Sequence, residues 1–155
     1  MAKLTKIFTL SITEWLIILE AWFAFLKWDL LISFTQYDKW RNKIYKAPKL
    51  QKARIEEGAN LPEQVKSVIA LSEAVGRNHI RKMNCLRRCL TQKQLLAKRG
   101  FETCMHIGVN IENDKLKAHA WLSYQGKVIN DNDSVNTRYS ELKSANEHTI
   151  LSSLK

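Results

Sequence analysis

The hydrophobic period of this chain changes at Gly100, and that change restricts the fold more than any other feature. Upstream, small and apolar residues recur at helical spacing: Val65, Val68, Ile69, Ser72 and Val75 in one stretch, Leu86, Leu90 and Leu96 in the next. Downstream they alternate. In "ETCMHIGVNI" the residues Thr103, Met105, Ile107, Val109 and Ile111 share one face; in "LKAHAWLSY" Leu116, Ala118, Ala120, Leu122 and Tyr124 share another. Helices that precede a run of alternating strands predict an α+β fold, with helices packed on an antiparallel sheet. The first helix is expected to begin near Pro62, which suits a first helical position, and to end at Gly76 and "RNH". The second is expected to start at Asn84 or Cys85 and stop at Gly100. "END" and "QGK" read as turns, and "VINDND" as a third strand ending in carboxylates. Between Tyr139 and Leu151 only weak helical character is legible.

Ahead of this unit lies a stretch of different composition. "TEWLIILEAWFAFLKWDLLISF", Thr13 to Phe34, is apolar apart from Glu14, Glu20, Lys27 and Asp29. Thr13, Glu20 and Lys27 recur every seven residues and form one narrow polar stripe on a helix that is otherwise apolar. Its longest uncharged run is six residues, far short of the roughly 18 that a membrane span requires. Such a helix must pack on its own domain, on a partner or flat on a lipid surface. A run with Lys39, Arg41, Lys43, Lys46, Lys49, Lys52 and Arg54 and no acid follows, then a connection at Gly58 and Pro62. Residues 1–61 are therefore expected to form an apolar and basic helical region suited to docking or membrane-surface contact, and residues 62–155 a compact domain. The chain has 155 residues and a net charge of +10, enough for one real core and a surface field that attracts anionic partners. Three cysteines cannot all pair internally, and no secretory leader is legible, so a reducing cytosol is expected. Cys85 and Cys89, with Cys104 and His106 as further ligands, are a poor zinc set because no second tight pair follows.

Cys85 stands where the second helix begins. Unpaired backbone amides and the positive end of the helix dipole there favour a thiolate, and Arg81, Lys82, Arg87 and Arg88 add to that field. Cys89, one turn further in, reads as a small packed residue. His119 on the second strand could serve as base. A three-residue loop of Tyr124, Gln125 and Gly126 pairs His119 with Asp131 on one face, whereas a two-residue turn opposes Ala120 to Asp131 and directs the acid away. Buried inert thiols and a satisfied strand histidine are the competing explanation of the same residues. A non-catalytic basic module binding nucleic acid or membrane is the competing function, although no nucleic-acid motif is present.

The segments "CLRRCL" (Cys85 to Leu90), "RG" (Arg99, Gly100), "IGV", "AHAW" (Ala118 to Trp121) and "GKVIND" (Gly126 to Asp131), in that order, resemble the transglutaminase-like cysteine peptidases of lasso-peptide biosynthesis. The likeness covers roughly residues 62 to 135, with 34 residues from Cys85 to His119 and 12 more to Asp131. Cys89 stands where that family usually has serine. The resemblance implies a papain/transglutaminase-like core in residues 62–155, with Cys85 as nucleophile, His119 as base and then acid, and Asp131 as the orienting carboxylate. It implies a bacterial, cytoplasmic peptidase that needs no cofactor and no metal; the apolar helix and the basic run after it add peripheral contact with the inner face of the membrane as an expectation. Its substrate would be the leader region of a ribosomally made precursor. Its partners would be a separate leader-recognition protein and an asparagine-synthetase-like cyclase, and no nucleic acid. The same triad could instead pass the acyl group to an amine, as a transglutaminase does. For the oxyanion, the Cys85 backbone amide is one candidate donor, and His79 and Asn84 are the side-chain candidates.

Overall fold

A computed structural model describes residues 10–36, 60–112 and 114–141. The basic run from Lys39 to Arg54 and the tail beyond Glu141 lie outside the described residues. Among those described, the order is α1 (Ile12–Phe34), α2 (Glu63–Asn78), α3 (Cys85–Ala97), β1 (Cys104–Glu112), β2 (Lys115–Tyr124), β3 (Lys127–Val128), α4 (Val135–Arg138) and β4 (Ser140–Glu141). Helices and a small antiparallel sheet make an α+β fold, with strands in the order β3-β2-β1-β4.

Helix α1 starts at a reciprocal cap: the Glu14 N–H donates to Ser11 Oγ, and the Ser11 N–H donates to Glu14 Oε2. One of its faces packs on α2 and α3. Ile17 and Ala21 join Val65, Val68, Leu95 and Leu96, while Trp28 and Ile32 join Leu86, Leu90, Ile107 and Leu122 between the helices and the sheet. Of the polar stripe, Thr13 and Lys27 are exposed and Glu20 is half-buried. Glu20 accepts from Lys98 at 2.6 Å and from Arg99 at 2.8 Å, and Lys27 donates to Gln94 at 3.2 Å, so the stripe lies along the C-terminal half of α3. The opposite face, with Ile12, Leu16, Leu19 and Phe23, is exposed and apolar. Among the described residues no helix is long and apolar enough to cross a membrane.

Helix α2 differs from expectation only at its start, where Pro62 is the N-cap rather than the first helical residue; it ends within "RNH", at Asn78. Gly76 is a packing position, since a Cβ there would stand 3.0 Å from the Phe25 ring. Helix α3 buries Leu86, Leu90 and Leu96 as its period predicts. It ends where Gly100 turns left-handed (φ +81°) and the Phe101 N–H returns to the Leu96 carbonyl at 3.0 Å.

Strands β1 and β2 pair over their full length, from Cys104 opposite Ser123 to Glu112 opposite Lys115. The β2–β3 hairpin corrects the sequence reading. Tyr124 pairs with Lys127 and Ser123 with Val128, so the turn has two residues, Gln125 (φ +50°) and Gly126 (φ +80°), both left-handed. The expected three-residue loop is absent because Gln125, a residue with a Cβ, takes the left-handed conformation along with the glycine. The third strand is also shorter than "VINDND" suggested. The Ile129 N–H donates to the Leu122 carbonyl at 3.0 Å, but the Leu122 N–H is taken by the Asn130 side chain at 2.8 Å, and the chain leaves the ladder there.

Candidate active site

Three segments converge where β3 stops and leaves an edge of β2 unpaired. Asn84 caps α3, its Oδ1 accepting the Arg87 N–H at 3.0 Å, which makes Cys85 the first helical residue. Leu86, Cys89 and Leu90 lock that turn onto Ile107, Ala120 and Leu122 of the sheet, with Cys85 packed against the rim of the same cluster. The helix start is thus held rigidly over β2. The Cys85 thiol hydrogen-bonds the His119 side chain and accepts from the backbone N–H groups of Ala120 and Leu86. A longer β3 would have used the Ala120 N–H in the ladder, because it points to the same side of β2 as that of Leu122.

His119 Nε2 meets Asp131 Oδ2 at 2.5 Å, each side chain being 25% exposed. The carboxylate accepts that proton, which leaves Nδ1 for the thiol. Asp131 Oδ1 also accepts the Asn132 N–H at 2.7 Å, so the carboxylate is held from both oxygens.

The acid reaches the histidine in spite of the two-residue turn. Continued as a regular ladder, this register would oppose Ala120 to Asp131 and turn the carboxylate to the other face. Asn130 prevents that. Its Oδ1 replaces a backbone acceptor for Leu122, and its Nδ2 donates to Gln92 Oε1 at 2.8 Å and to Cys89 Sγ at 3.3 Å. The amide pins the departing chain to α3 and β2 together, and the bend beyond it returns Asp131 to His119. Sequence reading missed Asn130 because it was placed within a strand; the available signal was an amide directly before the acid. Asn130→Ala is expected to cost about 1–3 kcal/mol by orphaning the Leu122 N–H and Gln92. Urea unfolding measures that cost. The same substitution loosens Asp131 and lowers the pKa of His119, which NMR titration of the imidazole reads.

The electrostatics follow from these contacts. Burial pushes the Cys85 thiol up, but the bond to His119 and the N–H groups of Ala120 and Leu86 outweigh it and hold the thiol below its ordinary value. His119 is raised, chiefly by its bond to Cys85, against the opposing effect of burial and with further support from Asp131. The two shifts favour a thiolate beside an imidazolium. The expected arginine field is largely spent elsewhere: Arg87 pairs with Asp29 at 2.7 Å and Arg88 with Glu73 at 3.0 Å. Cys89 is 1% exposed and burial pushes its thiol far up, so the two cysteines differ in the way the sequence reading preferred.

Trp121 packs beside His119 as a buried residue. It is 2% exposed, stacks between His106 and His119 at centroid distances of 5.5 and 6.3 Å, and donates from Nε1 to Asn136. Gly108, opposite His119 on β1, permits this packing, since a Cβ there would meet Tyr139 at 2.8 Å and Trp121 at 2.9 Å. His79 lies against Trp22 and Phe25 of α1, with its Nδ1 accepting the Arg81 N–H. Cys104 is exposed and unpaired by disulfide. Among the described residues no group of three or more histidine, cysteine or acidic side chains is arranged to hold a metal ion.

Comparison with curated proteins and with solved structures returned no match. A family model described as the transglutaminase-like superfamily matches residues 26–144, a span that opens within α1 and takes in Cys85, His119 and Asp131. With most of its length covered by that match, the chain belongs to the transglutaminase-like superfamily, a family of cysteine peptidases and acyl transferases.

Proposed function

We propose that the protein is a cysteine peptidase that removes the leader from a ribosomally made lasso-peptide precursor before ring closure, with Cys85, His119 and Asp131 as its triad. The observation that carries this reading is the hydrogen-bonded run from the Cys85 sulfur through His119 to Asp131 at a helix start. The Cys85 thiolate attacks the scissile carbonyl. The oxyanion that forms is stabilised by the Cys85 N–H, which as the first amide of the helix has no intrahelical acceptor. His119 gives its Nδ1 proton to the leaving amine and a thioester remains. The neutral imidazole then takes a proton from water, whose hydroxyl displaces Cys85 and releases the leader as a free acid. Asp131 keeps the ring in the orientation both steps need.

The separate recognition protein and the cyclase are proposed partners. The apolar outer face of α1, with the basic run after it, is the proposed place of docking or of contact with the inner face of the membrane.

Cys85→Ala removes the nucleophile and leaves the capped helix intact. Precursor cleavage followed by mass spectrometry is expected to fall to background in this variant while circular dichroism is unchanged. Full activity of the purified variant ends the proposal. The product masses also separate hydrolysis, which adds water across the bond, from acyl transfer, which joins two molecules.

A further inference from the structure

Two aromatic rings stand against His119. The Tyr139 ring lies at a centroid distance of 5.1 Å and is tilted by 31°; the Trp121 ring lies at 6.3 Å, close to parallel, and the two rings are 6.3 Å apart. Trp121 is a core residue. Tyr139 is half-buried and is held from both sides of the chain. Before it, the Tyr139 N–H donates to the Val135 carbonyl at 3.1 Å, and Asn136 of α4 accepts from Trp121 Nε1 at 3.1 Å. After it, β4 pairs Ser140 with Val109 and Glu141 with Gly108, and the Glu141 carboxylate meets His106 Nδ1 at 2.7 Å. Gly108 is also the residue opposite His119, and the room it leaves is taken by Tyr139, whose Cβ stands 2.8 Å from where a Cβ at position 108 would be.

Trp121, Val128 and Val135 form a small apolar cluster that Tyr139 covers, and packing alone asks only for an apolar side chain there. The ring offers something further. His119 is 25% exposed and carries a positive charge when it faces the Cys85 thiolate. Aliphatic cover would strip water from that charge and return nothing, whereas the face of an aromatic ring attracts a cation. We propose that Tyr139 is a positioning residue for His119: its ring holds the imidazole in the orientation that joins Cys85 to Asp131, and favours the imidazolium over the neutral ring. The inference rests on the triad reading and adds to it a residue that acts through His119 and touches no reacting atom. The titratable groups turned toward His119 are Cys85 from α3, Asp131 from the bend after β3, and Tyr139 itself. Lys117, on the same face of β2, pairs with Glu112, and His106 of β1 pairs with Glu141 of β4, so both have partners of their own.

The test reads His119 directly, so that it stands apart from knowledge of the precursor. The imidazole is titrated by NMR in the purified full chain, in Tyr139→Leu, which keeps an apolar cover without the ring, and in Tyr139→Phe, which keeps the ring. Where the leucine variant does not fold, Tyr139→Met takes its place. At the pH that protonates half of the native imidazole, the ratio of imidazolium to imidazole is expected to fall about threefold in Tyr139→Leu and to stay near native in Tyr139→Phe. The falling limb of precursor cleavage moves to lower pH in Tyr139→Leu, with kcat lowered and KM unchanged. Val135→Ala opens the same apolar cluster away from the imidazole and controls for loosened packing; it is expected to lower the urea midpoint and leave the titration in place. An unchanged titration in Tyr139→Leu, or an equal shift in Tyr139→Phe or Val135→Ala, overturns the proposal. If native Cys85 reacts with iodoacetamide at pH 6 no faster than the exposed Cys104, no thiolate faces His119, the triad reading itself fails and the role of Tyr139 falls with it.

Discussion

Replacement of His119 by alanine is expected to lower kcat/KM for precursor cleavage by about 10³- to 10⁴-fold and to change the pH dependence of what activity remains. The sign follows from the two shifts. In the native protein the thiol of Cys85 loses its proton below its ordinary value of 9.0, and His119 keeps its proton above its ordinary value of 6.5. Activity therefore rises with pH as the thiolate forms and falls as the imidazolium that must protonate the leaving amine is lost, giving a bell whose limbs belong to the coupled pair. Without His119 the largest stabiliser of the thiolate is gone, and burial, which disfavours the charge, is left opposed only by the two backbone N–H groups. The rising limb of Cys85 alkylation by iodoacetamide should then move to higher pH. An alkylation profile identical in the native protein and the variant would show that His119 does not act on this sulfur. Asp131→Asn gives the graded version: the thiolate contact persists, the imidazolium loses its carboxylate, and the falling limb moves to lower pH.

The parts of this site that could be read in the sequence are those set by local periodicity. A cysteine at the start of an apolar helical stretch, preceded by asparagine, points to a helix N-terminus, and Asn84 supplies the cap. Alternation in β2 predicts that His119 and Ala120 point to opposite faces, as they do: Ala120 enters the core and His119 does not. What periodicity could not give is the path of the chain after β2. The expected pairing of His119 with Asp131 came from a turn that does not form, and the residues meet because one asparagine side chain takes the place of a backbone carbonyl. That substitution depends on Gln92 and Cys89, some 40 residues earlier in the chain, standing ready to receive the amide. Helix α4 and strand β4 were illegible for another reason. Four and two residues long, they span about one period each, too little for a pattern to repeat, and they exist because Val135 and Tyr139 close over Trp121 and Val128.

The second large effect is expected far from the chemistry, at Asp29. In the sequence it was one of four polar interruptions in an apolar helix. In the fold it is 2% exposed and holds Arg87, of α3, at 2.7 Å, with Arg81 on its other oxygen and Ser33 3.4 Å from the same Arg87 guanidinium. Asp29→Ala removes the only carboxylate that the described residues bring to Arg87, a buried cation in the first turn of α3. A buried charge that loses its partner costs about 3–5 kcal/mol, of which the larger share is the unpaid desolvation of the cation left behind. Urea denaturation is expected to show that loss. The cause can be separated from simple loss of packing by a double-variant cycle. In Asp29→Leu/Arg87→Met both charges are gone and apolar atoms fill the space, so most of the stability should return, whereas each single substitution remains costly. If instead the two single costs simply add, Asp29 and Arg87 do not act as a pair. The same pairing explains why α1, remote in sequence from the candidate triad, is inseparable from it: Asp29 and Glu20 grip the two ends of α3, and the first turn of that helix carries the sulfur.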